Sequence, residues 1–151
     1  MENIKLDIGY NKIQILSFHL KLPETIDLKK DNKSSFGFSY KIDTNTNLNK
    51  ELFFITLDIK ILYSKKQDII CSIKTYFEYH IKGLKKIVKE VDNKKLVPDQ
   101  LPATLIANAV STSRGILYMK TLGTPLDGIF LPIVNSDSFS RSKVDKIDEQ
   151  K

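Results

Sequence analysis

Residues 53–81 read FFITLDIKILYSKKQDIICSIKTYFEYHI. Phe53, Ile55, Leu57, Ile59, Ile61 and Tyr63 share one parity, with Thr56, Asp58 and Lys60 on the other. After the polar run Ser64 to Asp68, the pattern repeats. Ile69, Cys71, Ile73, Thr75, Phe77, Tyr79 and Ile81 alternate with Ser72, Lys74, Glu78, His80 and Lys82. Side chains of a strand point alternately to opposite faces, so each half has a dry and a wet side. The two halves predict a long antiparallel hairpin whose arms span about 11 residues, or about 36 Å, each. A helix with its side chains is only about 10–12 Å across, so one helix cannot cover the dry face of such a sheet. Oligomerisation is one solution.

Upstream, Leu16, Phe18, Leu20 and Leu22 alternate with Ser17, His19 and Lys21, while Ile13 and Ile15 take the opposite parity. This predicts a strand over residues 12–22 with a bulge near Leu16, ended by Pro23. A polar link through Lys29, Lys30, Asp31 and Asn32 leads to Phe36, Phe38, Tyr40 and Ile42, a second strand with one apolar parity. The asparagine-rich residues 44–50 read as a turn.

Downstream, Gly83 closes the hairpin, and Leu84, Ile87, Val88 and Val91 have helical spacing over residues 84–91, with a break at 92–95. Pro102 suits the first turn of a second helix, where its missing N–H costs nothing. From Ala103 to Thr121, residues Leu105, Ile106, Ala109, Val110, Ile116, Leu117 and Met119 gather on one broad face. Ala103, Ala107, Ser111 and Gly115 are small enough to let another backbone approach, from the sheet or from a second copy of the chain. Gly123-Thr124-Pro125 stops the helix, and Pro132 argues against a central strand in the apolar segment 129–134. Strands first and helices last give an α+β fold: a four-stranded antiparallel sheet with the C-terminal helices packed on one face. Residues 1–135 form a single domain, and residues 136–151, rich in serine and balanced in charge, read as a mobile polar tail.

The 151 residues suffice for one domain. The lone Cys71 cannot pair within the chain, and an N-terminus with Glu2 and Asp7 and no apolar run fits a cytoplasmic protein without a signal peptide. No run approaches the roughly 18 apolar residues of an integral membrane segment. The net charge is +6, yet all basic residues but Arg114 and Arg141 are lysine, scattered among acids. Lacking the planar guanidinium forks that grip phosphates and base edges, the chain does not read as a nucleic-acid binder. Lys82, Lys85, Lys86, Lys89, Lys94 and Lys95, interrupted by Glu90 and Asp92, read as the solvated face of a short helix.

Nothing points to an enzyme, a metal or a cofactor. His19 and His80 lack a second ligand at metal spacing, and Cys71 has only apolar neighbours of its own parity, which raises a thiol's pKa and blunts it as a nucleophile. His80 shares a face with Glu78, but such strand neighbours are usually a solvated pair. Aromatic residues carry more. Phe36, Phe38 and Tyr40 on one strand, with Tyr118 and Met119 on the main helix, suggest an apolar groove for extended polypeptide, although core packing is the ordinary role of any one of them.

The chain resembles the SecB family of protein-export chaperones. The match runs through Leu101-Pro102, Ser113-Arg114-Gly115, Gly123-Thr124-Pro125 and Leu131-Pro132-Ile133-Val134-Asn135, and upstream through residues 13–23, which end Leu-Lys-Leu-Pro. It departs where Val134 is inserted before Asn135, where Ser136 stands in place of phenylalanine, and where residues 116–122 lengthen the helix. The resemblance implies a homotetramer, a dimer of dimers, with helices sandwiched between sheets and apolar grooves that hold unfolded or precursor polypeptides without nucleotide. It implies client contacts at Phe36, Phe38, Tyr40, Tyr118, Met119, Leu122 and Phe130, and subunit packing at Ala103, Ala107, Ser111 and Gly115. Typical members are acidic and engage the export motor SecA; this chain is basic, so the resemblance does not carry SecA over. The expected function is a holdase for non-native polypeptides. The alternative is a dedicated adaptor or antitoxin-type chaperone for a single partner.

Overall fold

The computed structural model describes residues 5–22, 35–63 and 68–139. Four strands, β1 (Asp7–Leu20), β2 (Phe36–Asn47), β3 (Leu52–Tyr63) and β4 (Asp68–Lys82), form one antiparallel sheet in the order β1-β4-β3-β2. The hairpin therefore lies at the centre of the sheet. Phe53 faces Tyr79, Leu57 faces Thr75 and Ile61 faces Cys71, and all six are buried on one face. The hairpin loop and the link between β1 and β2 lie outside the described residues.

One expectation for β4 is corrected. The β3–β4 register slips between Ile61 and Leu62, because Ile61 pairs with Cys71 and Leu62 with Ile69. Ile70 is the extra residue, buried beside Cys71, and Ile69 passes to the wet side, where it is 50% exposed. A bulge adds one residue and reverses the parity beyond it.

β1 uses the same device twice. Its pairing to β4 shifts between Tyr10 and Lys12 and between Ile15 and Ser17, leaving Asn11 and Leu16 as extra residues. Ile8, Tyr10, Ile13, Ile15, Phe18 and Leu20 thereby all oppose dry-face residues of β4, from Ile81 to Cys71. The expected bulge near Leu16 is present. A second, and a start at Asp7, bring the strand to 14 residues.

Residues 84–91 are not one helix. α1 (Leu84–Ile87) is a single turn, followed by the small hairpin β5 (Lys89–Val91) and β6 (Lys94–Leu96). Val88 is already extended, and Asp92 and Asn93 both have positive φ, 50° and 61°. Two left-handed residues make the turn whose twist suits a two-residue hairpin, and Asp and Asn tolerate that region better than other non-glycine residues. The lysine group is thus spread over a turn and a hairpin rather than along a helix face.

α2 (Gln100–Thr121) carries Pro102 in its first turn and ends before Gly123, at φ 73°. Leu101, Leu105, Ile106, Ala109, Val110 and Leu117 are buried against the sheet. Leu126 and Leu131 are buried in the returning segment, and Ile129, Val134 and Phe139 pack on the same core. Pro132 lies in no strand, and Ser136–Phe139 form a 3-10 turn at the head of the expected tail. The rest of that tail lies outside the described residues.

Candidate functional site

Three ties fix where α2 lies. The Tyr79 hydroxyl has two acceptors within reach of its one proton, Asn108 Oδ1 at 3.0 Å and Leu105 O at 3.3 Å. Thr75 and Ser113 join their hydroxyls at 2.9 Å. Lys120 Nζ stands 5.7 Å from the centre of the Phe18 ring, and Phe18 pairs with Ile73. As α2 advances, its partners retreat along β4, so the helix runs lengthwise over that strand and leaves two flanks.

The flank towards β2 is covered. Arg114 donates through Nε to Leu131 O (3.1 Å) and through Nη2 to Pro132 O (2.9 Å), holding the returning segment against the helix. Burial raises the Tyr40 hydroxyl above its usual pKa, opposed by the Arg114 charge, and that hydroxyl is sealed from solvent with no hydrogen-bond partner. Phe36 is buried, its ring 5.8 Å from Tyr63, and Phe38 and Tyr40 are half-buried against the core. These three expected client contacts are therefore drawn largely into the core rather than left in water.

The flank over β1 is open. Ile8, Tyr10, Ile13 and Ile15 sit on the dry face yet are 40 to 47% exposed. Alongside them an open groove of about 610 Å³ is lined by Thr112, Gly115, Ile116, Met119 and Lys120. At one end the Tyr10 hydroxyl bonds Asn108 and Thr112; at the other Lys120 caps Phe18. The small-residue series turns as it goes, because a step of four residues drifts about 40° around a helix. Ala103 is buried against the core, Ala107 is half-buried, and Ser111 and Gly115 are exposed.

At the C-terminal end of α2, Tyr118 stacks on Phe130 with centroids 5.5 Å apart and planes at 21°. Tyr118, Met119, Leu122 and Phe130 are 38 to 66% exposed, and Ile133 is 91% exposed. Met119 also lines the groove, so patch and groove meet there. The structure thus brings together four expected client residues, and leaves Ile133 of the returning segment and the β1 isoleucines exposed as well. The β1 residues were missed because their spacing counts as a face only once both bulges are known. The signal available was Ile8, Tyr10, Ile13 and Ile15, apolar residues at every second or third position.

Burial pushes the Cys71 thiol up to about 11. His19 and His80 are exposed on the wet face. Among the described residues no group of three or more His, Cys, Asp or Glu side chains converges to hold a metal, and no helix is long and apolar enough to cross a membrane.

No protein-family model and no curated protein matches the chain. Among solved structures it is similar to the SecB-like chaperone Rv1957 of Mycobacterium tuberculosis, in complex with a ChAD peptide from the Rv1956 HigA1 antitoxin. The TM-score is 0.56 at 10% identity, over 85% of this chain and 88% of that one. With its four-stranded antiparallel sheet and single long helix laid across one face, the chain has the SecB-like α+β fold.

Proposed function

We propose that the chain is a SecB-like chaperone that holds non-native polypeptide on the Tyr118–Met119–Leu122–Phe130 patch, and that copies of it meet along β1 and the exposed stripe of α2. The observation that carries this is the patch itself: an aromatic pair, a methionine and a leucine left in water at one helix end. Methionine and stacked aromatics adapt to varied side chains, and many weak apolar contacts along one extended client add by multivalency. The similar mycobacterial chaperone holds a peptide, which supports a polypeptide as the ligand. No nucleotide is required.

Assembly follows from β1. A 14-residue edge strand with free backbone groups and an apolar face is a liability unless something covers it. A homotetramer, as a dimer of dimers, would cover it with further copies, and Ser111 and Gly115 would let helices approach. A reduced lone thiol suits the cytoplasm. Delivery to SecA forms no part of the proposal.

The test combines two measurements. Light scattering at several concentrations should give a stable assembly; a strict monomer would remove the shared scaffold. The protein should also suppress aggregation of unrelated unfolded proteins, and Met119→Ser with Phe130→Ser should abolish this while costing no more than about 1 kcal/mol of stability. Suppression confined to one partner would favour the dedicated adaptor, which the antitoxin peptide on the similar chaperone supports equally.

A further inference from the structure

At the far end of the sheet from the patch, the β2–β3 turn, α1 and the β5–β6 hairpin come together. Lys50, Lys82, Lys85, Lys86, Lys89, Lys94 and Lys95 are all exposed there. Among the described residues none of them forms an ion pair. The acids at this end are fewer: Asp7, Glu51, Glu90, Asp92 and Asp99, of which Glu51 is engaged as acceptor of the Gly83 N–H at 3.0 Å and Asp99 has an interaction of its own. Between turn and hairpin lies an open cleft of about 340 Å³ lined by Leu48, Asn49, Lys85, Val88, Glu90 and Lys95. Leu48 and Val88 are half-buried and pack on the core, giving the cleft an apolar part, and of its charged lining residues two are lysines, Lys85 and Lys95, against the single carboxylate of Glu90.

We infer that this cleft docks an acidic polypeptide segment of a partner protein, with an aliphatic side chain on Leu48 and Val88 and flanking carboxylates on Lys85 and Lys95. The surrounding lysines steer the segment in. The lining favours this occupant over nucleic acid. It has no aromatic ring on which a base could stack and no arginine to fork a phosphate, whereas its aliphatic part rewards a Leu or Val side chain. The docking site is separate from the client patch, so the protein would hold a client at one end of the sheet and a partner at the other.

The test uses the full chain and a short fluorescein-labelled peptide in which leucine is flanked by pairs of glutamate, followed by anisotropy. The peptide should bind, weaken steeply as salt rises from about 50 mM to about 300 mM, and lose at least about tenfold in affinity with Lys85→Glu and Lys95→Glu. Polyglutamate and oligothymidylate of equal charge should bind at least about tenfold more weakly. Met119→Ser with Phe130→Ser should leave peptide binding unchanged, which separates this site from the client patch. Absence of binding, binding indifferent to the lysine reversals, or equal binding of the other polyanions would each overturn the inference. The lysines are exposed, so circular dichroism of the reversed variant should match the parent; Lys85→Gln with Lys95→Gln gives a smaller loss in the same direction.

Discussion

Thr75 on β4 and Ser113 on α2 meet hydroxyl to hydroxyl at 2.9 Å, both fully shielded from water. Thr75 Oγ1 also reaches Leu57 O at 3.4 Å, so the arrangement that satisfies both hydroxyls has Thr75 donating to β3 and Ser113 donating to Thr75. This polar contact thus helps to fix the position of the helix along two strands. Removing either partner alone leaves a buried polar group without its partner, at about 1–3 kcal/mol. Thr75→Val with Ser113→Ala removes both, and its cost in urea unfolding should fall below the sum of the single changes by about 1 kcal/mol.

Asn108 ties the edge strand to the helix. Its Oδ1 accepts the hydroxyls of both Tyr10 on β1 and Tyr79 on β4. Asn108→Leu should cost about 0.5–1.5 kcal/mol, since Tyr10 is exposed to water and Tyr79 keeps Leu105 O within reach, and should speed amide exchange in β1. Asn108→Asp keeps an acceptor for both phenols and should retain the protection of β1 at neutral pH, because an ionised carboxylate accepts strongly.

Cys71 and Tyr79 both contribute to the alkaline limit. Burial holds the folded thiol at about 11 against an ordinary 9.0. Below pH 9 both folded and unfolded thiols keep their proton, and the contribution to stability is complete. Between pH 9 and 11 only the unfolded chain ionises, so stability should fall by about 1.4 kcal/mol per pH unit from this group. Burial raises Tyr79 as well, so its loss starts above the ordinary 10.0 and persists in Cys71→Ala, which removes only the earlier phase. Unfolding at a series of pH values separates the two. At neutral pH a thiol reagent should label Cys71 only as fast as the protein opens.

Arg114 holds the returning segment with two bonds to successive carbonyls. Lysine cannot present both donors in that geometry. Arg114→Lys should cost about 1.5–3 kcal/mol, and hydrogen exchange should rise in residues 129–139. If those amides keep their protection, Leu131 and the core hold the segment without the clamp.

The sheet's central pair was legible in the sequence because alternation is a local property and residues 53–81 obey it through most of their length. The main helix was legible for the same reason, from Pro102 to Gly123. The short helix expected at residues 84–91 failed because apolar spacing alone cannot distinguish a turn followed by β-branched residues from a helix. Asp92-Asn93 was the local sign of a hairpin turn. Of the candidate client residues, Tyr118, Met119, Leu122 and Phe130 stand in water together, while Phe36, Phe38 and Tyr40 went under cover that no local pattern describes.

The sequence by itself determined the four strands, the long helix, their α+β class and the dry face of β3, since all of these follow from periods of two and 3.6 residues. Only the tertiary structure decided the strand order, the phase imposed by the bulges at Asn11 and Ile70, and the lie of α2 along β4. Those depend on pairings between residues far apart in the chain, such as Tyr10 with Tyr79 and Thr75 with Ser113. The aromatic residues of β2 are drawn into the core while Ile8, Tyr10, Ile13 and Ile15 of β1 stay exposed, and the location of the candidate site follows from that asymmetry.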